Sequence, residues 1–416
     1  MSDTTAALLT TADGRPLKAA LAAAQARARR KAFFLVAPLL LFIVLTFIVP
    51  IGQMLQRSVY HDGFAKAAPQ LGAWFSANPE GTAPDEAAYA ALAADLKQMK
   101  ADKTAGEAGT RINYTVPGTR SLFTGAARGA DKLEPPYKEA LLADDAKWGD
   151  PLIWTAMRNA ASPWTTDFYL IATDRARTAD GGTEAVPENE RIYLWLFGKT
   201  FVMSGLITFI CLLLAFPIAH LLATLPMARA NLLMILVLLP FWTSLLVRTT
   251  SWIVLLQGQG VVNNILVALG FVSEDGRLDM IYNQTGTIIV MTHILLPFMV
   301  LPLYSVMRTI KPTYARAARS LGATSWTTFR RIYLPQTLPG IGAGSLLVFI
   351  LAVGYYITPA LVGGADGQLI SNMIDFHMDK SNWSLAAALS GMLLAGVLLL
   401  YWLYDRLVGI DKLKLG

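Results

Sequence analysis

Residues 315–335 read ARAARSLGATSWTTFRRIYLP and lie in a basic segment between two long apolar stretches. The segment holds an Ala-Ala pair at Ala317 and Ala318, then Gly322, and an Ile-Tyr-Leu-Pro sequence that starts ten residues after this glycine. Pro312, just upstream, is suited to the first turn of a helix, and Gly322 is suited to its C-terminal cap. The spacing therefore predicts a short helix that stops at the glycine.

The second half of the segment predicts another helix. The Thr-Ser pair after the glycine supplies an N-cap, and the spacing of Trp326, Phe329 and Tyr333 places three aromatic rings on one helical stripe. Pro335 is expected to end this helix and to lead into the next apolar stretch. The sequence thus predicts two helices joined at a glycine, which we call the elbow (residues 312–335). Any basic loop between two spans can fold into two helices, so this geometry alone does not assign a function.

The composition of the whole chain indicates a membrane protein. Hydrophobic residues make up 54% of the chain and charged residues only 15%, a balance that soluble domains do not need. A helix needs about 20 apolar residues to cross a bilayer. Six stretches reach or approach that length: 33–51, 200–225, 232–247 with a continuation to 256, 285–307, 341–362 and 384–404. We therefore predict an all-α polytopic membrane protein with six transmembrane helices.

The distribution of positive charge predicts the topology. The net charge of +6 would suggest nucleic acid as a partner for a soluble protein, but here the basic residues concentrate in three segments. These are residues 26–31, the loop with Arg308, Lys311, Arg316, Arg319, Arg330 and Arg331, and the tail with Arg406, Lys412 and Lys414. Four spans and then two separate these segments, so all three can face the cytoplasm. The pattern predicts that both termini are cytoplasmic and indicates no nucleic-acid partner.

The chain divides into four predicted parts. They are a cytoplasmic N-terminal segment (1–31), a first transmembrane helix (32–56), an extracytoplasmic insertion domain (57–192) and a core with five transmembrane helices and a cytoplasmic loop at 308–340 (193–416). Residues 1–25 are expected to be disordered or loosely helical, and the helix of the first span is expected to extend back through residues 17–33. The lone Cys211 lies in the second span, so the insertion domain has no disulfides.

The insertion domain reads as a small, mostly helical α+β domain. Its predicted elements are helices at 84–102, 135–150 and 150–162, strand-like segments at 111–118 and 167–174, and a linker at 177–191. Two short helices are expected outside the membrane in the core, within 260–270 and 363–383. The first of these is too short to cross a bilayer.

The elbow resembles the EAA loop of ABC importer permeases, whose pattern is Glu-Ala-Ala, three residues, Gly, nine residues and Ile-x-Leu-Pro. The matching positions are Ala317, Ala318, Gly322, Ile332, Leu334 and Pro335. Arg316 holds the position of the family's glutamate, which is a charge reversal. In that family the loop docks into a cleft of the ATPase subunit, so the resemblance implies that these seven residues couple the chain to an ATPase.

The resemblance extends to the spermidine/putrescine permease subfamily through residues 240–270, 294–307 and 338–364. It implies a type I importer permease with a MetI-like core in a bacterial inner membrane. The implied partners are a dimer of ATP-binding cassette ATPases, a second permease subunit, a periplasmic solute-binding protein and the lipid bilayer. The leading solute is a polyamine. The large insertion after the first span is not part of the usual polyamine permease.

Several polar and aromatic residues in or near the spans are candidates for the solute pathway: Thr243, Ser244, His293, Tyr355 and Tyr356. Aromatic faces attract cations, although aromatic residues in spans also serve as packing or interface anchors. His220 and His293 lie within spans and can equally be buried and hydrogen-bonded. Arg248 would repel a polyamine if it faced the pathway, which favours a place at the outer interface.

Three alternatives remain open at this point. The same machine could import an opine, an amino-acid derivative or a sugar. An ion-coupled secondary transporter would need acidic residues in the membrane, and the six stretches contain none except Asp405 close to the last of them. A membrane enzyme would need a nucleophile with its base or a metal cluster, and the sequence indicates neither catalytic residues, metal nor cofactor. No Gly-x-x-x-x-Gly-Lys-Ser/Thr loop occurs, so ATP hydrolysis is expected on a separate subunit.

Overall fold

The computed structural model describes residues 17–408. The predictions for residues 1–16, Lys412 and Lys414 therefore lie outside the described residues. Contacts divide the chain into one unit that ends at Arg57 and a second that begins at Ser58. Six helical stretches are long and apolar enough to cross a membrane, which confirms the predicted number of spans: Ala24–Val59, Tyr193–Thr224, Leu245–Ala268, Gln284–Thr309, Ser325–Val353 and Trp383–Arg406.

The described residues of the first unit form one long helix. It comprises α1 (Leu17–Ile43), a π-helical turn (Val44–Ile48) and α2 (Val49–Val59), the last of which runs to the start of the second unit. This confirms that the helix of the first span extends towards the N-terminus. Its large apolar side chains are exposed along the span, as with Leu35, which is 82% exposed. Such a surface needs lipid or another protein to cover it.

The insertion domain follows and is built from eight helices and one small hairpin. The helices are α3 (Gly63–Ala67), α4 (Pro69–Ala77), α5 (Glu86–Asp102), α6 (Ala105–Asn113), α7 (Thr119–Gly129), α8 (Tyr137–Asp144), α9 (Pro151–Ala161) and α10 (Asp167–Ala172). Strands β1 (Arg175–Arg177) and β2 (Thr183–Ala185) pair antiparallel. The core of the domain includes the fully buried rings of Tyr89, Phe123 and Trp148. The predicted small, mostly helical α+β domain is confirmed.

Both strands predicted in this domain are wrong. Residues 111–118 begin inside α6, and residues 167–174 contain α10. In α10 the side chains of Phe168 and Ala172, four residues apart, are both buried, which is helical spacing. Packing against the neighbouring helices therefore overrides the β-branched and aromatic composition of these short segments. The predicted linker at 177–191 contributes to both strands of the hairpin and also contains a 3-10 turn (Glu188–Glu190).

A buried ionic network links α6, α10 and β1. Arg111 is only 1% exposed on its side chain and lies 2.8 Å from the Asp167 carboxylate, which also receives a 2.6 Å hydrogen bond from Arg177. Burial alone would raise the pKa of the Asp167 carboxyl group, but the two guanidinium groups outweigh it and hold this pKa below its ordinary value. Breaking such a pair is expensive because one charge is left buried without a partner.

The core is a helical bundle. Its helices are α11 (Tyr193–Thr224), α12 (Met227–Leu238), α13 (Leu245–Leu256), α14 (Val261–Ala268), α15 (Gln284–Thr309), α16 (Pro312–Ser320), α17 (Ser325–Thr328), α18 (Leu334–Val353), α19 (Ile357–Val362), α20 (Ile370–Asp379) and α21 (Trp383–Val408). Helices α11, α15 and α18 surround one apolar core. Gly344 allows α18 to approach α15 closely, since a Cβ atom there would lie 2.7 Å from Met299 Sδ.

Two predicted spans have different bounds in the structure. The third is interrupted: α12 passes into a 3-10 turn (Leu239–Trp242), Thr243 is extended, and a new helix starts after Ser244. The crossing-length stretch is instead Leu245–Ala268, formed by α13 and α14. The predicted fifth span, 341–362, starts within a helix that begins at residue 325. This helix ends at Val353, because residues 354–356 are not helical and separate it from α19.

The insertion domain is held firmly on the bundle. The Asp174 carboxylate accepts hydrogen bonds of 2.8–3.1 Å from the backbone N–H groups of residues 192, 193 and 194, at the start of α11. The Tyr114 hydroxyl donates a 3.0 Å hydrogen bond to the side-chain oxygen of Asn382, which precedes α21. The domain thus has separate attachments to two helices of the bundle.

Candidate functional site

The first half of the elbow is a helix that stops at a glycine, as the sequence predicts. Gly322 has φ of +86°, in the left-handed region. Its N–H donates to the Arg319 carbonyl at 3.0 Å, and the Ala323 N–H donates to the Ala318 carbonyl at 3.1 Å. These two bonds form a Schellman cap, which satisfies carbonyl groups that the end of α16 would otherwise leave without partners. Gly322 therefore fixes the direction in which the chain leaves α16.

The second half of the elbow carries the predicted aromatic stripe. The ring centroids of Trp326 and Phe329 lie 5.7 Å apart and those of Phe329 and Tyr333 lie 6.2 Å apart, both in stacked arrangements. Phe216 of α11 meets Phe329 edge-on at 6.0 Å. The Tyr333 hydroxyl lies 2.9 Å from Nδ1 of His220, also on α11. The stripe therefore attaches the elbow to the bundle.

Pro335 does not end the second helix, so that prediction is wrong. The helix continues from Ser325 to Val353 and passes through a π-helical turn at Phe329–Tyr333. A proline lacks the N–H group and crowds the carbonyl four residues back, and a wider turn relieves that crowding. The elbow is therefore continuous with a candidate membrane span.

The candidate coupling residues occupy two levels of the elbow. At the tip lie Ala317, Ala318 and Gly322, and sequence reasoning missed Leu321 beside them, whose side chain is 89% exposed. A large apolar residue directly before a capping glycine in a polar loop is the signal that could have identified it. Trp326 is a further exposed apolar residue, at 68%. Together these residues give the tip an apolar surface that suits contact with another protein.

Nearer the membrane lie the remaining candidate coupling residues. Leu334 and Pro335 begin α18, and Ile332 is half-buried in the preceding turn. Ile332 and Arg316 line the same cleft, of about 560 Å³, between α16 and the ends of α11 and α15. Arg316, which is exposed like Ala317, differs from it in lining the cleft. The charge reversal at this position affects the cleft more than the tip.

Two of the candidate pathway residues come together where α13, α15 and the end of α18 meet. The Trp252 indole N–H donates a 3.0 Å hydrogen bond to Nδ1 of His293, with ring centroids 5.2 Å apart. Tyr355 packs in the same apolar cluster as Trp252. Arg248 lies on α13 four residues before Trp252, so the two side chains share one face of that helix. The sequence did not identify Trp252, because a single aromatic residue in a span does not distinguish a pathway residue from a packing residue.

The other pathway candidates use their polar groups in local structure. The Thr243 hydroxyl donates to the Pro240 carbonyl at 2.9 Å, and the Ser244 hydroxyl accepts from the Val247 N–H at 3.2 Å. Both residues thus cap the break before α13. Tyr356 is 40% exposed, and its carbonyl accepts a hydrogen bond from a side chain of α20. The site therefore centres on His293 and Tyr355, with Tyr356 at its edge.

Arg248 belongs to this break as well. Its guanidinium group donates to the carbonyl of Pro240 and, at 3.0 Å, to that of Thr243. The charge thereby satisfies carbonyl groups that the interrupted helix leaves free. Around this cluster the spans supply aromatic rings, a histidine and a cation, and no acid in sequence. Within residues 17–408, no group of three or more His, Cys, Asp or Glu residues is placed to hold a metal ion.

The family match with known proteins covers the bundle. Residues 195–409 match the family described as binding-protein-dependent transport system inner membrane component. The spermidine/putrescine transport system permease protein PotB of Haemophilus influenzae is 37% identical over 217 residues, which cover 52% of this chain and 75% of that protein. The inner membrane ABC transporter permease protein YdcU of Escherichia coli is 31% identical over 258 residues, which cover 59% of this chain and 81% of that protein.

A solved structure of a bacterial alginate ABC transporter, in complex with its alginate pentasaccharide-bound periplasmic protein, is also similar. It aligns with 54% of this chain and 80% of its own chain, at 20% identity and a TM-score of 0.46. The family match spans more than half of the chain and includes both the elbow and the His293 cluster. The chain belongs to the inner membrane permease components of binding-protein-dependent ABC importers.

Proposed function

We propose that this permease forms one half of a translocation pathway and is driven by ATP hydrolysis on a separate subunit. The observation that carries the proposal is the elbow, which presents an apolar tip and continues into a span as one helix. The expected assembly contains a second permease subunit and two ATPase subunits. Closure of the ATPase pair would move the elbow, and the helical connection to α18 would pass this movement to the helices around His293 and Tyr355.

We infer that the solute is a polyamine such as spermidine or putrescine. The support is the sequence similarity to PotB, whose name gives these solutes. The exposed ring of Tyr356 and the neighbouring aromatic residues could attract a cation. Arg248, on the same face of α13 as Trp252, favours a second candidate, a solute that carries a carboxylate, such as an opine or another amino-acid derivative. An acid from the second permease subunit would offset Arg248 in the polyamine case.

The test measures solute-stimulated ATP hydrolysis by the reconstituted complex. The permease, its partner subunits and the binding protein are placed in proteoliposomes, and ATP hydrolysis is measured with spermidine, putrescine, an opine or no solute. The proposal expects hydrolysis that rises only with the binding protein and a polyamine. Stimulation by the opine alone would replace the solute assignment. Hydrolysis that does not depend on the elbow would contradict the coupling role.

We also propose that the insertion domain lies on the periplasmic side and contacts the binding protein. The rigid attachment through Asp174 and Tyr114 supports a docking role, since a fixed platform costs less entropy on binding than a mobile one. The proposed topology has both termini in the cytoplasm. Alkaline phosphatase fused within the insertion domain should be active, and the same fusion after the last span should be inactive.

The structure suggests a clean deletion to test the docking role. Tyr60 and Trp164 form an antiparallel bridge, so residues 62–162 enter and leave the domain at adjacent points. Replacing 62–162 with a short Gly/Ser linker keeps the Asp174 attachment but removes Arg111 and Tyr114, so Asp167 is also changed to Asn in this variant. Affinity for the binding protein should fall, while insertion into the membrane is retained. An unchanged affinity would contradict the docking role.

A further inference from the structure

We propose that the cleft behind the elbow binds a phosphate group, supplied by the headgroup of an anionic phospholipid or by free phosphate. This basic cleft lies between α16 and the ends of α11 and α15 and has a volume of about 560 Å³. The proposal goes beyond the transport function and does not depend on which solute is carried.

The basic cleft has four cationic side chains and no acid in its lining. The cations are Arg308, Lys311, Arg316 and Arg319. In the part of the chain that the structure describes, none of the four forms an ion pair. Four positive charges around one cavity repel each other, and a bound anion would relieve this repulsion.

The faces of α16 separate this charge from the docking tip. Pro312, Tyr314, Ala315, Arg316 and Arg319 of α16 line the basic cleft, and all but Tyr314 follow helical spacing, at i, i+3, i+4 and i+7. Leu321 does not line the cleft and is exposed. The two arginines of α16 are therefore available from the cleft while the tip contacts another protein.

Other groups give the basic cleft a defined wall. Arg308 is fixed by its 2.9 Å hydrogen bond to the Ala223 carbonyl, at the end of α11. The hydrogen-bonded pair of His220 and Tyr333 forms another part of the wall. Guanidinium groups match the oxygens of a phosphate in a bidentate manner. Basic pockets between helices near the membrane surface are suited to anionic headgroups, and this cleft lies where two spans end.

The experiment compares two double variants of the full-length chain in an uncharged detergent. Arg316→Gln with Arg319→Gln removes two charges that line the basic cleft. Arg330→Gln with Arg331→Gln removes two exposed charges of the same loop that do not line it. Binding of phosphatidylglycerol, phosphatidylcholine and inorganic phosphate is measured by native mass spectrometry and by the shift of the unfolding temperature.

The wild-type chain and the Arg330/Arg331 variant should prefer phosphatidylglycerol or inorganic phosphate over phosphatidylcholine. The Arg316/Arg319 variant should bind about thirtyfold more weakly, the equivalent of about 2 kcal/mol for two basic side chains. Stronger binding of phosphatidylglycerol than of inorganic phosphate would identify the lipid as the source, and the reverse would identify free phosphate.

Equal losses in both double variants would show a diffuse attraction to the loop and would overturn the proposal. An Arg316/Arg319 variant that binds phosphatidylglycerol and inorganic phosphate as strongly as the wild-type chain would also overturn it. If that variant instead fails to bind the ATPase subunit, the basic cleft is a protein contact. A circular dichroism spectrum identical to that of the wild-type chain shows that the variant is folded.

Discussion

Gly322 offers the sharpest test of the elbow, because the free-energy cost of substituting this residue can be estimated from its backbone conformation alone. Its φ is +86°, and a Cβ atom added there would meet no other atom within 4 Å. Substitution therefore introduces backbone strain without a steric clash. A residue other than glycine in the left-handed region costs about 1–2 kcal/mol, with asparagine tolerated best and β-branched residues worst.

A graded series follows from this reasoning. Gly322→Asn should disturb the cap least, Gly322→Ala should cost about 1 kcal/mol, and Gly322→Val should cost more. A cost of 1 kcal/mol lowers the ratio of capped to frayed elbows about fivefold. Since the glycine is exposed and the strain is local, the global unfolding temperature should change little.

The assay is ATP hydrolysis by the reconstituted complex in the presence of loaded binding protein. Stimulation should fall in the order wild type, Asn, Ala, Val, while basal hydrolysis by the ATPase subunits stays constant. Gly125→Ala is a matched control, since Gly125 lies in α7 and its Cβ position is also open. Equal stimulation in all three variants, or an order unrelated to backbone strain, would refute the reasoning.

Three further predictions concern the insertion domain and the pathway. Asp167→Asn should lower the free energy of unfolding by about 3–5 kcal/mol, because Arg111 is left buried without its charge partner, and chemical denaturation measures this. Since the pKa of Asp167 is below its ordinary value of 3.8, its contribution is complete above about pH 4 and is lost as the pH falls further, so the variant should show a weaker acid dependence. Asp174→Ala should loosen the attachment to α11 by about 1–2 kcal/mol, seen as faster amide exchange at the start of that helix; unchanged exchange would count against the cap. Trp252→Phe keeps an aromatic ring but removes the hydrogen bond to His293, so it should change solute-stimulated hydrolysis and lower the free energy of unfolding by about 1–3 kcal/mol; normal hydrolysis would remove this pair from the pathway.

The elbow could be predicted because its determinants are local. A capping glycine and the spacing of three aromatic residues are visible in a single sequence, and both occur in the structure as expected. The continuation through Pro335 could not be predicted, because the π-helical turn that accommodates a proline leaves no simple pattern in the sequence.

The errors elsewhere have tertiary causes. Phe168 lies in a helix because its ring is buried among neighbouring helices, although the segment has a β-like composition. The break before α13 is stabilised by Arg248, whose hydrogen bonds to carbonyl groups several residues earlier are not evident from hydropathy. The meeting of His293 with Trp252 joins two spans, and only the packing of α13 on α15 places them side by side.

The insertion domain is attached to the bundle through Asp174 and Tyr114, so movements of the helices are transmitted to it. If α11 and α21 tilt during transport, a domain that is fixed to both must rotate with them, and its far surface moves further than the helices do. A fluorophore on the outer surface of the domain, paired with a second one at a fixed reference point of the complex, would then report the state of the bundle from outside the membrane. The insertion would thus give a direct optical readout of the transport cycle without any label in the solute pathway.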